Sequence, residues 1–181
     1  VELFKVSFPK NKFEHREFSY YDITSYTIRF LFALIIFRKY AINEKVFGGQ
    51  NDIFDKYNSF TDVYQKHKED FGNWQKDMIR SNSYKWIYIA DINKYYKSIS
   101  TETLADQLIN NLGINSVKFL DAFRKTYTEI TIGSWCDHFV QNLYLKGIDN
   151  SLSKLNGISY ARFTDDFRVF CKEEKDCEIV H

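Results

Sequence analysis

The longest uninterrupted apolar run, Phe30 to Phe37, lies inside a segment that opens at Asp22 and closes at Arg38-Lys39 and Tyr40. A capping residue in front, Ser19 or Asp22, and cations behind predict a helix over this segment. Its apolar run is bounded by Arg29 and Arg38 and is far shorter than the roughly 18 residues that cross a bilayer, so it is predicted to be a buried element. Residues 1 to 20 interleave Lys5, Lys10, Lys12 and Arg16 with Phe4, Phe8, Phe13 and Phe18 around Pro9, and read as extended, basic and partly packed. Gly48-Gly49 then breaks the chain, and residues 50 to 80 form a polar, aromatic-dotted stretch with room for short helices.

The second half is punctuated more sharply. Trp86 to Ala90 is a short aromatic and β-branched run, predicting a buried strand that ends at Asp91. Ser100 or Thr101 precedes a helical stretch from Glu102 to Asn111, and Gly113 stands where a helix C-cap belongs. Over residues 134 to 155, Val140, Tyr144, Ile148, Leu152 and Leu155 recur at spacings of four and three, the pattern of one long helix with one face buried. Asn156-Gly157 is a turn signal. Ile158 to Phe163 and Phe167 to Cys171 follow as two strand-like runs separated by Thr164-Asp165-Asp166, a hairpin with carboxylates at its tip.

Composition narrows the class. At 181 residues, with 44% hydrophobic and 27% charged positions, the chain suffices for one domain or two small subdomains. Scarce Pro and Gly, 1 and 7, against 18% aromatics exclude a disordered or collagen-like chain and disfavour a turn-dense all-β sandwich. The net charge of +1 means that any grip on nucleic acid must come from a local basic patch. Cys136, Cys171 and Cys177 match no zinc-site spacing and the four histidines are scattered, so reduced thiols are expected. With no membrane-spanning run and no charged-then-apolar leader, the expected location is cytoplasmic.

The chemistry concentrates in Asp91, Asp165 and Asp166. Adjacent carboxylates repel when ionised, and a divalent cation relieves that repulsion. Mg²⁺ takes a few carboxylate oxygens together with waters and substrate phosphates. Two such ions, about 3.5–4 Å apart, stabilise the attacking and leaving oxygens of an in-line phosphoryl displacement. An Asp-Asp dipeptide in a polar turn is ordinarily a solvated turn. Here the flanking runs read as buried strands, which would place the acids at the edge of a core.

These residues resemble a family. Asp91-Ile-Asn-Lys-Tyr-Tyr-Lys-Ser-Ile99 is similar to the first palm motif of reverse transcriptases, and Tyr160-Ala-Arg-Phe-Thr-Asp-Asp-Phe-Arg-Val-Phe170 to their catalytic hairpin. Between them, Ile132-Gly-Ser-Trp-Cys-Asp-His-Phe-Val-Gln-Asn-Leu-Tyr-Leu145, continuing to Ile148-Asp149, resembles their glycine-led second palm motif. The resemblance covers residues 84 to 171 well and the N-terminal part loosely. It implies an α/β (α+β) right-hand polymerase palm with partial fingers, an antiparallel catalytic hairpin packed on helices and no thumb, divided as a fingers-like segment 1–83 and a palm 84–181. It further implies an RNA-directed DNA polymerase in which Asp91, Asp165 and Asp166 ligate two Mg²⁺ ions, with Mn²⁺ as a substitute.

By the same resemblance Tyr96 is the steric gate that excludes a 2′-hydroxyl, and Gly133 lets the backbone approach nucleotide or template. Ile92 and Arg16, the latter with Lys10 or Lys12, stand at the substrate, and Gln141 and Asn142 are polar neighbours behind the ligands. The implied partners are an RNA template, a DNA product, deoxynucleoside triphosphates, a thumb or other C-terminal domain outside this sequence, and a second copy of the chain; no membrane partner is implied. Thr131-Ile132 stands in place of the family's Leu-Pro, Asp137 in place of a frequent serine, and Phe163-Thr164 in place of the commoner Tyr-Ala. These departures lean toward the defence-associated and abortive-infection branch, with antiphage defence or a mobile element as the setting. An untemplated or protein-primed DNA polymerase, and a non-catalytic palm that binds RNA or protein, remain as alternatives. So do plainer roles for single residues: core packing for Tyr95, Tyr96, Trp74 and Trp86, ordinary helix positions for Cys136 and His138, and a solvated face for Lys5 to Arg16.

Overall fold

A computed structural model describes residues 3–12, 14–39, 46–47, 60–132 and 134–180. Gly48-Gly49, Phe13 and Gly133 lie outside the described residues. In chain order the elements are β1 (Leu3–Pro9), β2 (His15–Tyr21), α1 (Ile23–Lys39), β3 (Val46–Phe47), α2 (Phe60–Arg80), β4 (Trp86–Asp91), α3 (Tyr95–Ser98), α4 (Thr101–Leu112), α5 (Val117–Thr126), α6 (Trp135–Tyr144), α7 (Lys146–Leu152), β5 (Ile158–Phe163), β6 (Asp166–Cys171) and α8 (Glu174–Val180). The fold is therefore mixed α+β. No described helix is long and apolar enough to cross a membrane. The chain forms two compact units, each from two segments: residues 1–41 with 94–144, and residues 42–93 with 145–181.

In the first unit β1 and β2 form an antiparallel hairpin, with Phe4 opposite Tyr20, Val6 opposite Phe18 and Phe8 opposite Arg16. Strand alternation puts these six residues on one face. Asp22 caps α1, its Oδ1 accepting from the Thr24 and Ser25 amides at 2.9 and 3.0 Å. The expected burial of Phe30 to Phe37 holds for one side of the helix. Phe32 packs edge-on against Phe119 and Phe123 of α5, and Ala33 and Ile36 are fully buried, but Ile28, Leu31 and Ile35 are exposed. α4 begins and ends where its sequence says: the Ser100 hydroxyl accepts from the Thr103 amide, and Gly113 takes φ 62°.

A buried ion pair braces this unit. Arg29 of α1 donates from Nη1 to Asp137 of α6 at 2.6 Å, and both side chains are sealed from solvent. The guanidinium lies between the rings of Tyr21 and Tyr127, at 4.0 and 4.5 Å from their centroids, and also donates to the Thr126 carbonyl at 2.7 Å. Asp137 accepts from the Tyr21 hydroxyl and from the Thr131 amide and hydroxyl. Burial, with the Asp137 charge second, raises Tyr21 well above the ordinary phenol range. A buried charge needs an opposite charge and hydrogen bonds of this kind, so Asp137 is explained as a brace.

The helix predicted as one element over 134–155 is two, α6 and α7, with the chain leaving helical form at Leu145. Nor is a single face of α6 buried, since every residue from Trp135 to Leu143 is. The apolar spacing missed this because Asp137, Gln141 and Asn142 are also inside, each held by hydrogen bonds.

The second unit is built on a four-stranded sheet in the order β3-β5-β6-β4, with β3 parallel to β5 and the other pairs antiparallel. Of the stretch 50–80, read as having room for short helices, residues 50–59 lie outside the described residues and the rest is one helix, α2, which covers one face of the sheet: Tyr64 and Phe71 meet Phe163, and Trp74 meets Phe170 edge-on at 5.4 Å. Trp74 is thus core packing. α7 meets side chains of the alternate register, the Tyr160 hydroxyl donating to the Asp149 carbonyl at 3.0 Å. β4, predicted to be buried, is an edge strand with β6 as its neighbour in the sheet; Trp86, Ile87 and Ile89 are 45%, 45% and 59% exposed. Hydrophobic composition marks a strand but does not say where in the sheet it will lie.

Gly157 is the turn residue that Asn156-Gly157 foretells. It adopts φ 81°, and a Cβ there would stand 2.7 Å from Oδ2 of Asp176, an atom that accepts from the Glu173 amide. Gly157→Ala is expected to destabilise the protein by about 1–3 kcal/mol, read as a lowered midpoint in thermal denaturation followed by circular dichroism. All three cysteines are free, as predicted. Burial pushes the Cys136 and Cys171 thiols up to about 12, with the neighbouring Cys177 thiol adding to the effect at Cys171. Both are therefore protonated and inert at neutral pH.

Candidate active site

The carboxylates singled out in the sequence meet at one end of the second unit's sheet. Asp91, the last residue of β4, pairs directly with Asp166, the first residue of β6, and Asp166 in turn pairs with Phe163 of β5. Directly opposed residues project to the same face with Cβ atoms about 4.5–5.5 Å apart. The Ile92 amide donates to the Asp165 carbonyl at 3.4 Å, carrying the β4–β6 contact one step past the aspartates. This places Ile92 by its backbone beside the turn. The turn is shorter than predicted: Thr164 and Asp165 form it, and Asp166 already belongs to the strand.

Such a tight connection needs a positive φ, and Thr164 supplies it at 56°. A β-branched residue adopts this conformation at a cost, so something must hold it. Arg162, 0% exposed, does so from within the sheet. Its Nη1 donates to the Thr164 carbonyl at 2.7 Å, while Nε and Nη2 form a two-pronged pair with the Asp149 carboxylate, each at 2.8 Å. The Thr164 amide donates to the Phe47 carbonyl of β3 at 3.3 Å. The turn that presents Asp165 is therefore clamped by β3, β5 and α7. Arg162 and Asp149 were given no role by the sequence reading; the available signal was an arginine midway along an apolar strand, which requires a buried acid.

Asp91 is exposed, and Asp165 and Asp166 are half-buried. Asp165 Oδ1 accepts from the Thr164 hydroxyl at 2.7 Å, and Asp166 is ion-paired with Arg168, two residues along the same strand. Arg168 also donates to the Phe167 carbonyl at 2.9 Å and lies over the Phe71 ring. Among the described residues no group of three His, Cys, Asp or Glu side chains is gathered as a metal site. Hard carboxylate oxygens on two facing strands and the adjoining turn are nonetheless the donor chemistry that Mg²⁺ takes.

The remaining predicted residues lie in the first unit. Tyr96, half-buried in α3, is within 3.3 Å of His138 Nδ1 through its hydroxyl. Its neighbour Tyr95 is 2% exposed and donates to the Gln141 carbonyl at 2.8 Å, the core role that the plainer reading gave it. The Gln141 amide nitrogen is 2.7 Å from His138 Nδ1, and the Asn142 amide donates to the His138 carbonyl. Cys136 and His138 are buried helix residues.

Arg16 is exposed on β2 and lines an open concavity with Phe8, Pro9, Lys10, Phe18 and Tyr20. Lys10 pairs with Glu14 and Lys5 with Glu129, whereas Arg16 forms no ion pair among the described residues. On the same face Phe4, Phe8 and Tyr20 are 60%, 45% and 50% exposed.

Comparison with known proteins identifies no family whose model matches this chain, and no curated protein matches it.

Proposed function

We propose that this chain carries the nucleotidyl-transfer centre of an RNA-directed DNA polymerase, adding deoxynucleotides to a 3′-hydroxyl. The observation that carries the reading is the direct cross-strand pairing of Asp91 with Asp166, with Asp165 on the adjoining clamped turn. Two like charges placed opposite each other disfavour a sheet, an arrangement that makes chemical sense when a cation is to be shared. Asp91 and Asp165 would hold Mg²⁺ most directly. Asp166 would contribute as it exchanges Arg168 for the ion. Bound there, the metal would lower the pKa of the attacking hydroxyl and neutralise the leaving pyrophosphate.

Other residues supply recognition in this reading. Tyr96, following Asp91 at the spacing of the first palm motif, would press its ring against the sugar and disfavour ribonucleotides. Arg16 would meet phosphate, and the exposed aromatic face of the β1–β2 hairpin would stack bases of the template. The test is incorporation of labelled deoxynucleotides by the full chain, with and without an RNA template, with Mg²⁺ or with chelator. Template- and metal-dependent product supports the reading, while template-independent product supports an untemplated or protein-primed enzyme.

The hairpin face also favours a second reading, a non-catalytic RNA-binding module, because exposed aromatics beside an arginine that forms no ion pair among the described residues require no metal to bind single strands. RNA binding without incorporation under any primer condition would select it.

A further inference from the structure

β4 is the open edge of the second unit's sheet: β6 pairs it on one side, and among the described residues no strand pairs it on the other. Edge strands are ordinarily blunted by a charge, a proline or a bulge, since their outward backbone groups otherwise attract another strand. Between Lys85 and Asp91, β4 carries no charged residue and no proline, and Trp86, Ile87 and Ile89 are exposed. The Ile92 amide donates to the Asp165 carbonyl, and antiparallel pairs alternate between those that exchange hydrogen bonds and those that do not. Residues 86, 88 and 90 therefore turn their amides and carbonyls toward β6, while Ile87, Ile89 and Asp91 turn theirs to the open side.

We infer that the outer edge of β4 is a self-association surface, on which a second copy of this chain pairs antiparallel about Tyr88 and joins two four-stranded sheets into one. Two antiparallel copies related by a twofold axis must set outward-turned residues against one another, so the axis passes through a residue and not between two. Centred on Tyr88, the pairing sets Lys85 of one copy against Asp91 of the other, Ile87 against Ile89 and Trp86 against Ala90. A shift of one position either way sets an isoleucine against Lys85 or Asp91 instead. Directly opposed residues share a face with Cβ atoms about 4.5–5.5 Å apart, so the Tyr88 register alone closes both opposite-charge pairs and both isoleucine pairs. The Lys85 amide already donates to the Cys171 carbonyl at 3.0 Å, so the central backbone bonds of the pairing come from Ile87 and Ile89 of each copy. An unrelated strand would have to supply an acid and a base at the same spacing, whereas a second copy brings both.

The experiment is sedimentation equilibrium of the full chain over a range of concentrations, without metal or nucleotide. One strand per copy is at the small end of specific interfaces, so half-association is expected at about 10–100 µM. Ile89→Lys, at an exposed position, should keep the fold by circular dichroism and weaken the dimer by about tenfold or more. Lys85→Glu and Asp91→Lys should each weaken it about three- to thirtyfold, because a dimer holds two such pairs and each attraction becomes a repulsion. The double charge reversal should recover most of the affinity, since it restores opposite charges in the same places. Register is read by cross-linking. Tyr88 meets its own counterpart at a Cα separation of about 4.5 Å, within disulfide range, so Tyr88→Cys should oxidise to a covalent dimer, whereas Ile89→Cys, facing residue 87 of the other copy, should not. A chain that stays monomeric to about 500 µM, well above the range of specific interfaces, overturns the inference. A dimer that a folded Ile89→Lys leaves untouched overturns it too, because its surface lies elsewhere, and so does cross-linking at residue 89 in place of residue 88. Where Ile89→Lys misfolds, rescue between the two charge reversals decides. None of these readouts is nucleotide incorporation, so this inference and the polymerase reading stand or fall separately.

Discussion

Asp165→Ala and, separately, Asp91→Ala are each expected to reduce Mg²⁺-dependent nucleotide incorporation by on the order of 10³-fold or more, with the folded state left intact. The two halves of this expectation come from different observations. Loss of activity follows from the proposed chemistry, in which Asp91 and Asp165 hold the metal most directly and Asp166 is engaged by Arg168. Retention of the fold follows from packing. Asp91 is exposed at the end of an edge strand, and Asp165 makes one local hydrogen bond, from the Thr164 hydroxyl. Removing that bond costs about 0.5–1.5 kcal/mol.

Asp91 directly opposes Asp166. Relieving that like-charge pair by Asp91→Asn should leave the melting temperature unchanged or slightly raised, since such pairs weaken a sheet by about 0.2–1 kcal/mol. A variant that gains stability while losing activity is what a site under charge strain produces. Activity that survives in both alanine variants would remove these residues from the mechanism, whatever their arrangement.

Arg162→Met is expected to act in the opposite way, through stability first. Its guanidinium is 0% exposed and holds both oxygens of Asp149 and the Thr164 carbonyl. Deleting one partner of a buried ion pair leaves the other charge unpaired and costs about 3–5 kcal/mol. Against the 5–15 kcal/mol typical of a whole domain, that is enough to lower the urea midpoint sharply. Asp149→Asn should be damaging for the same reason. Combining Arg162→Met with Asp149→Leu should recover part of the loss, because no lone charge then remains inside. Incorporation should stay impaired in the double variant even where folding recovers, since the turn bearing Asp165 has lost the hydrogen bond that holds Thr164 at positive φ. Full activity in a stable double variant would show that the turn keeps its shape without the clamp.

The outer parts of the site were legible because they depend on near neighbours. A strand ending at Asp91 and a hairpin tipped by Asp165 could be read from alternation and turn chemistry, and both are present. Their meeting could not be read that way. Direct pairing of Asp91 with Asp166 is a matter of register between strands separated in the chain by five helices, α3 to α7, and by β5, and a shift of one position would have sent one carboxylate to the opposite face. The family resemblance anticipated that the aspartates belong together; it said nothing of Arg168 on Asp166 or of the Arg162 clamp.

Errors in the reading share one cause. β4 looked buried because its residues are apolar, yet it lies at the sheet edge. The run Phe30 to Phe37 read as a buried element, yet α1 is covered on one side, and α6 read as buried on one face, yet all of Trp135 to Leu143 is inside. Composition reports what a segment can tolerate, whereas burial depends on what packs against it.

By itself the sequence determined the local structure: the Asp22 and Ser100 caps, the Gly113 stop, the Asn156-Gly157 turn and the acidic hairpin, each of which is closed by hydrogen bonds or dihedral preferences within a few residues. Tertiary structure alone decided which distant residues meet. Arg29 and Asp137 are 108 positions apart, and Tyr96 and His138 are 42 apart. No neighbour in the chain encodes such pairs, because the free energy that selects them is the cost of leaving a buried polar group unmatched, and that cost arises only once the core has closed around it.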